Sequence, residues 1–202
     1  MGKSHKKREQ INTPGFYHLY ARTADGKQLF LRQSDFKTLL SVAEDARRKV
    51  LETRIIIMVC MSNHFHMIVY SPDIMAFKTY IGRKYCGWYN TRHNRRGALL
   101  EDSTIKASRL PYREAIRDKI LYNANNPVKA GICKTAWGYK YSSLRIFTKR
   151  PWVWKSLITV DDEYLLNLFG DLDNFREALR REKEYKDILK QNTVVFLRDG
   201  GM

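Results

Sequence analysis

The sequence predicts an α+β fold, a central antiparallel sheet with helices packed against it, and three observations carry that expectation. Two strongly β-prone runs, RIIIMVC and HFHMIVY, lie almost back to back, joined by Met61-Ser62-Asn63. A third strand-like run, GFYHLYAR, precedes them across a stripe of Phe36, Leu39, Leu40, Ala43 and Val50 at helical spacing, which needs a sheet to cover. Beyond these strands the chain is mostly helical in pattern, so the order opens as strand, helix, strand, strand.

Taken along the chain, Pro14-Gly15 punctuates a turn before GFYHLYAR, and Ala24-Asp25-Gly26 forms the turn after it. A second helix is expected from about Asp73, with Phe77, Ile81, Tyr85 and Trp88 on one face, ending before the basic stretch TRHNRRGALL. Residues 98–107 read as another strand. PYREAIRDKILYNANN reads as a third helix, with Pro111 in its first turn and Pro127 stopping it. After the aromatic linker PWVWK, the segments DDEYLLNLF and DNFREALRREKEYKDIL are expected to form two short helices of a small C-terminal helical extension. The expected division is a basic arm at 1–13, a main domain at 14–150 and the extension at 151–202.

With 202 residues and 44% hydrophobic content, the chain is long enough to bury one sizeable core. The formal charge is +16, which favours a polyanionic partner such as nucleic acid or an anionic membrane surface. That charge is uneven: residues 1–160 carry 30 Lys and Arg against 11 Asp and Glu, whereas residues 161–202 carry 7 against 10. Cys60, Cys86 and Cys133 are odd in number and widely spaced, which argues against a disulfide scaffold or a structural zinc site. No apolar signal core succeeds the basic start and no run reaches membrane-spanning length, so a cytoplasmic location and no membrane partner are expected.

His64 and His66 carry the chemistry. On a strand, side chains two apart point to one face, so the two imidazoles should share a face while Phe65 and Met67 bury against helices on the other. Flanking Ile, Val and Met runs put this pair in the middle of the domain, where imidazoles are expensive without partners. Two imidazoles together suit a divalent or transition metal, and a metal can polarise a phosphate. His18, in the first strand, reads as a satisfied structural histidine. In the third helix Tyr122 and Asn126 are four residues apart and share a face, with Ile116 and Ile120 on the packed side. A tyrosine hydroxyl, with a pKa near 10, is a poor nucleophile until a cation assists its deprotonation. Tyr122 is thus the candidate nucleophile, with His64, His66 and the Asn126 carbonyl oxygen as candidate metal ligands.

Together these segments resemble the IS200/IS605-like single-tyrosine (HUH, Y1) transposase superfamily, in particular its branch of REP-associated tyrosine transposases. MSNHFHMIV resembles the family's Met-Pro-Asn-His-hydrophobic-His strand, and FYHLYAR, IGRKYCGWYN, YNANNPVKAG and WGYKYSS match further blocks in family order over roughly residues 14–147. Ser62 stands in place of the usual proline, which is expected to soften the turn. ALLEDSTIKASRL lacks the Arg-Phe of the corresponding family strand. The resemblance implies a ferredoxin-like core, and a metal-dependent endonuclease and strand transferase acting on single-stranded DNA beside hairpins. It also implies a 5′-phosphotyrosine intermediate on Tyr122, metal binding by His64, His66 and Asn126, Mg²⁺ or Mn²⁺ as the ion, and a monomer or homodimer as the assembly. Tyr85 and Tyr89 are poorer nucleophile candidates because they fall on an apolar stripe.

Candidate backbone contacts are Arg83, Lys84, Arg92, Arg95, Arg96, Lys106, Arg109 and Lys129, since phosphate contacts position a strand without reading its bases. Trp88, Tyr89, Trp137 and Tyr139 are available for base stacking or for ordinary packing. Two further readings stand beside the transferase: a nucleic-acid-binding protein that keeps the fold without cleavage, and an enzyme or binder of RNA, whose charge requirement is the same.

Overall fold

A computed structural model describes residues 13–149, 151 and 154–182. The order is β1 (Gly15–Arg22), α1 (Gln33–Lys49), β2 (Arg54–Cys60), β3 (His64–Ser71), α2 (Ile74–Arg92), β4 (Lys106–Leu110), α3 (Arg113–Lys129), α4 (Trp154–Leu157) and α5 (Asp162–Phe169), and residues 172–182 are again helical. The four strands form one antiparallel sheet in the order β2-β3-β1-β4. With α1 and α2 as crossovers, this is the ferredoxin-like arrangement. No helix among the described residues is long and apolar enough to cross a membrane.

Strand alternation divides the molecule into two apolar layers. Tyr17, Leu19 and Ala21 of β1 and Phe65, Met67 and Val69 of β3 face α1 and α2, where Phe36, Leu39, Leu40, Phe77, Ile81 and Tyr85 cover them. On the reverse face Ile57, Val59 and Ile68 are covered by Ile116, Ile120 and Ala124 of α3, together with Leu165, Leu168, Phe175 and Leu179 from the C-terminal helices. The C-terminal residues therefore share apolar clusters with the sheet: Trp154 packs edge-on against Phe36 at 5.2 Å between ring centroids. Of DNFREALRREKEYKDIL, the residues beyond 182 lie outside those described, as does the basic arm up to residue 12.

Helix ends obey local chemistry. Asp73 caps α2, its Oδ1 accepting the Ala76 amide at 2.9 Å. Buried Asp35 accepts the Leu31 and Arg32 amides, each at 2.8 Å, and so fixes the entry to α1. Two expectations need correction. Residues 98–105 are not a continuous strand; Leu100 makes an isolated antiparallel bridge to Thr23, a short 3-10 turn follows at Glu101–Ser103, and the strand itself begins at Lys106. Nor does Pro127 stop α3, which contains it and runs on to Lys129. A proline there forgoes one intrahelical bond, and the helix is closed instead by Gly131 at φ 70°, whose amide bonds the Val128 carbonyl at 3.0 Å while Ile132 bonds Pro127 at 2.9 Å. That is the paired pattern of a glycine C-terminal cap.

The outer edge of β2 is covered rather than exposed. Cys60 N donates to Tyr141 O at 2.9 Å, Met58 N to Ser143 Oγ at 3.0 Å and Asp161 N to Ile55 O at 2.8 Å. Tyr139 donates its hydroxyl to Cys60 O at 2.7 Å. WGYKYSS thus satisfies backbone groups that would otherwise offer a template for aggregation.

Candidate active site on the histidine face of the sheet

Register decides which side chains meet. Tyr20 lies opposite His66 and Arg22 opposite His64, while on the other flank Tyr20 lies opposite Lys106 and His18 opposite Ser108. Directly opposed residues point to the same face, so His18, Tyr20, Arg22, His64, His66 and Lys106 share the reverse face of the sheet. His64 and His66 have ring centroids 5.1 Å apart.

Each imidazole is held by a specific neighbour. His64 Nδ1 lies 2.7 Å from Asn63 Oδ1. The other end of that amide donates to Gly26 O at 3.2 Å, which fixes the orientation of Asn63 and makes His64 Nδ1 the donor. The lone pair of His64 is therefore on Nε2. His66 Nδ1 lies 3.0 Å from His18 Nε2, with the rings nearly parallel at 14°, so Nε2 is the ring nitrogen of His66 that lies outside this contact. Such outer partners set tautomer and ring orientation at metal-binding histidines.

Burial keeps the cluster neutral. It holds His66 down to about 3, helped by His18, His64 and Lys119, and holds His18 down to about 4, helped by Lys119. His64 is lowered by burial and by the Arg22 charge. A neutral imidazole is the form that binds a cation. The turn with Ser62 is well fastened: Leu29 N donates to Ser62 O at 2.7 Å and Thr23 N to Asn63 O at 3.0 Å.

From α3, Tyr122 is 44% exposed whereas Ile116 and Ile120 are buried. Asn126 is half-buried on the same helix face. Lys119 ties the helix to the histidines, because its charge acts on both His18 and His66 and its Nζ stands 5.2 Å from the centroid of the Tyr122 ring. Lys129 Nζ stands 4.2 Å from that centroid and pairs with Glu182 at 3.0 Å. Tyr122, Lys119 and Glu182 line a surface cavity of about 600 Å³. By contrast Tyr85 and Tyr89 are buried and donate to the Leu29 and Gln28 carbonyls, and burial pushes both phenols up.

The basic candidates separate. Lys106 shares the histidine face, although it pairs with Asp102 at 2.9 Å. Arg109, opposite Tyr17, lies on the other face, and Arg83 and Lys84 are exposed on α2, which covers that other face. Arg92 and Arg96 are exposed near the end of the sheet where Arg22 pairs with His64, because Ala24 N bonds Leu99 O at 3.0 Å. Arg95 is engaged there with Asp25 at 3.1 Å. Trp88 packs on Tyr85, and Trp137 on Phe147 and Phe175.

Three residues of the site, Arg22, His18 and Lys119, have no site role in the sequence pattern as read above. Arg22 and His18 were legible from β1 itself, since period two from His18 gives Tyr20 and Arg22 on one face. Lys119 carries a weaker signal, its spacing of three before Tyr122. Among the described residues no group of three or more His, Cys, Asp and Glu side chains is placed to hold a metal, so any ion here would need amide or substrate oxygens beside the two imidazoles.

No family model matches the sequence, and no curated protein matches it. Among solved structures the chain is similar to a REP-associated tyrosine transposase bound to a REP hairpin, at 15% identity and a TM-score of 0.55, over 80% of this chain and 90% of that one. At that identity the likeness is one of fold.

Proposed function

We propose that this protein is a metal-dependent single-stranded DNA endonuclease and strand transferase, with Tyr122 as nucleophile and DNA hairpins beside its cutting site. The observation that carries this reading is the double reach of Lys119, which acts on His18 and His66 and also stands over the Tyr122 ring. It links the phenol on α3 to the buried, neutral imidazoles of His18 and His66 on the sheet. The fold likeness to a transposase that was solved on a hairpin supports the substrate class.

The donor set fits a divalent ion: His64 offers its Nε2 lone pair, His66 offers its own when its Nδ1 donates to His18, and Asn126 offers an amide oxygen from α3. Mg²⁺ or Mn²⁺ at these residues, when bound, would draw charge from the nonbridging oxygens of a phosphate. The remaining chemistry belongs to the chain. Tyr122 loses its proton to solvent and attacks phosphorus; a phosphorus–tyrosyl oxygen bond forms, the bond to the 3′ oxygen breaks, and that oxygen takes up a proton. A 5′-phosphotyrosine and a free 3′ hydroxyl result. Attack by another 3′ hydroxyl reverses the exchange and joins new ends, without ATP. Arg22 and Lys106 supply charge for the strand on the same sheet face, and Arg92 and Arg96 supply it at the end of the sheet.

The test is incubation with labelled single-stranded hairpin oligonucleotides, with and without Mn²⁺. A covalent protein–DNA band that disappears in Tyr122→Phe supports the reading. Tight binding with no band under any metal condition would favour a binding protein that keeps the fold, and cleavage of RNA alone would reassign the substrate.

A further inference from the structure

One stripe of α3, beside the apolar residues that pack on the sheet, is unexpectedly polar for its burial. Lys119, Asn123 and Asn126 stand at i, i+4 and i+7, one stripe of the helix, where a helix lying on a sheet would ordinarily present apolar side chains. Asn123 is fully buried, and among the described residues neither its amide nitrogen nor its amide oxygen has a hydrogen-bond partner. A buried amide left unpaired is costly to the folded state. Lys119 is half-buried and makes no ion pair with any described residue. Lys129, the other cation over Tyr122, is already committed to Glu182. Lys119 thus sets an ammonium over the Tyr122 ring, on the wall of the cavity that Tyr122, Asp118 and Glu182 also line, and its charge reaches His18 and His66 as well.

We propose that Lys119 is a further catalytic residue, its ammonium binding a nonbridging oxygen of the scissile phosphate and balancing the charge that develops between that phosphate and the Tyr122 oxygen. The inference rests on the transferase reading above. No proton need leave Lys119; it acts as a fixed cation, with its ammonium over the tyrosine ring. A preorganised donor aimed at developing charge typically contributes about 10²–10³-fold in rate. Asn123 lies on the same stripe as a second donor, unpaired among the described residues.

The experiment measures single-turnover adduct formation on a hairpin oligonucleotide with Mn²⁺, for the wild type, Lys119→Met and Lys119→Arg. DNA affinity is measured for each in a Tyr122→Phe background, and folding is checked by thermal melting. The expected result is a rate about 10²-fold lower in Lys119→Met, an affinity within about tenfold of the parent, and recovery of most of the rate in Lys119→Arg. A phosphorothioate at the scissile position adds a readout that a structural role would not move: preference between its two diastereomers should shrink in Lys119→Met. An undiminished rate in Lys119→Met, or a loss wholly matched by lost binding or lost folding and not relieved by arginine, overturns the assignment of Lys119 and leaves Tyr122 standing. Absence of any adduct in the wild type sinks both.

Discussion

Single side chains decide whether the two imidazoles are ready for a cation. Asn63 holds the proton of His64 on Nδ1, so Asn63→Ala frees the ring to turn and to change tautomer. Mn²⁺ affinity measured by titration calorimetry should fall about 10-fold or more, in line with other partners of metal-binding histidines, and unchanged affinity would contradict the proposed ligand role. Asn123 makes a sharper case because stability and activity should move in opposite directions. Replacing its unpaired buried amide by an apolar group of similar size removes a desolvation cost. Asn123→Leu should therefore raise stability by about 1–2 kcal/mol in urea denaturation while slowing adduct formation; a destabilised protein would mean that the amide finds partners in solution. At this scale periodicity shows in advance that His64 and His66 share a face and that Tyr122 turns away from the packed side, but it is silent about His18 as the partner of His66. Hydrogen bonding between residues 48 apart depends on strand register, which local pattern does not carry.

At the scale of elements, α1 is pinned to the chain around Thr159 by one carboxylate. Burial by itself raises Glu44, but hydrogen bonds from Arg47 and the Thr159 amide outweigh it and hold the carboxyl at about 2. Its folded pKa lies below the ordinary carboxylate value, so the stability it contributes is present above about pH 4.5 and is lost as pH falls toward 2. Glu44→Gln should cost about 1–3 kcal/mol at neutral pH, and the gap from the wild type should narrow below pH 4 in urea titrations; a gap independent of pH would contradict the assignment. The end of α3 illustrates what sequence can mislead about. Proline is a strong stop signal, yet near a helix end it loses only one bond, and Gly131 supplies the left-handed residue that does close the helix. The strands, by contrast, were plain, since GFYHLYAR, RIIIMVC and HFHMIVY coincide with β1, β2 and nearly all of β3.

Across the whole molecule, the sheet separates charges that the sequence leaves in one pool. Arg83, Lys84 and Arg109 belong to the face covered by α1 and α2, whereas Arg22 and Lys106 share the histidine face. Alanine at Arg22 or Lys106 should weaken single-strand binding and lower the magnitude of its salt dependence by about 0.7 per contact removed. The double change Arg83→Ala with Lys84→Ala should leave binding within about twofold, which fluorescence anisotropy over a range of salt will decide. The net positive charge was legible in composition, but its placement awaited the fold.

The most direct measurement is mass spectrometry of the adduct after trypsin digestion. Nucleotide mass on residues 120–129, lost in Tyr122→Phe, is the result the proposed chemistry requires. Nucleotide mass on the peptide bearing Tyr85 and Tyr89, or a Mn²⁺-dependent cut that leaves no nucleotide on the protein, would contradict it.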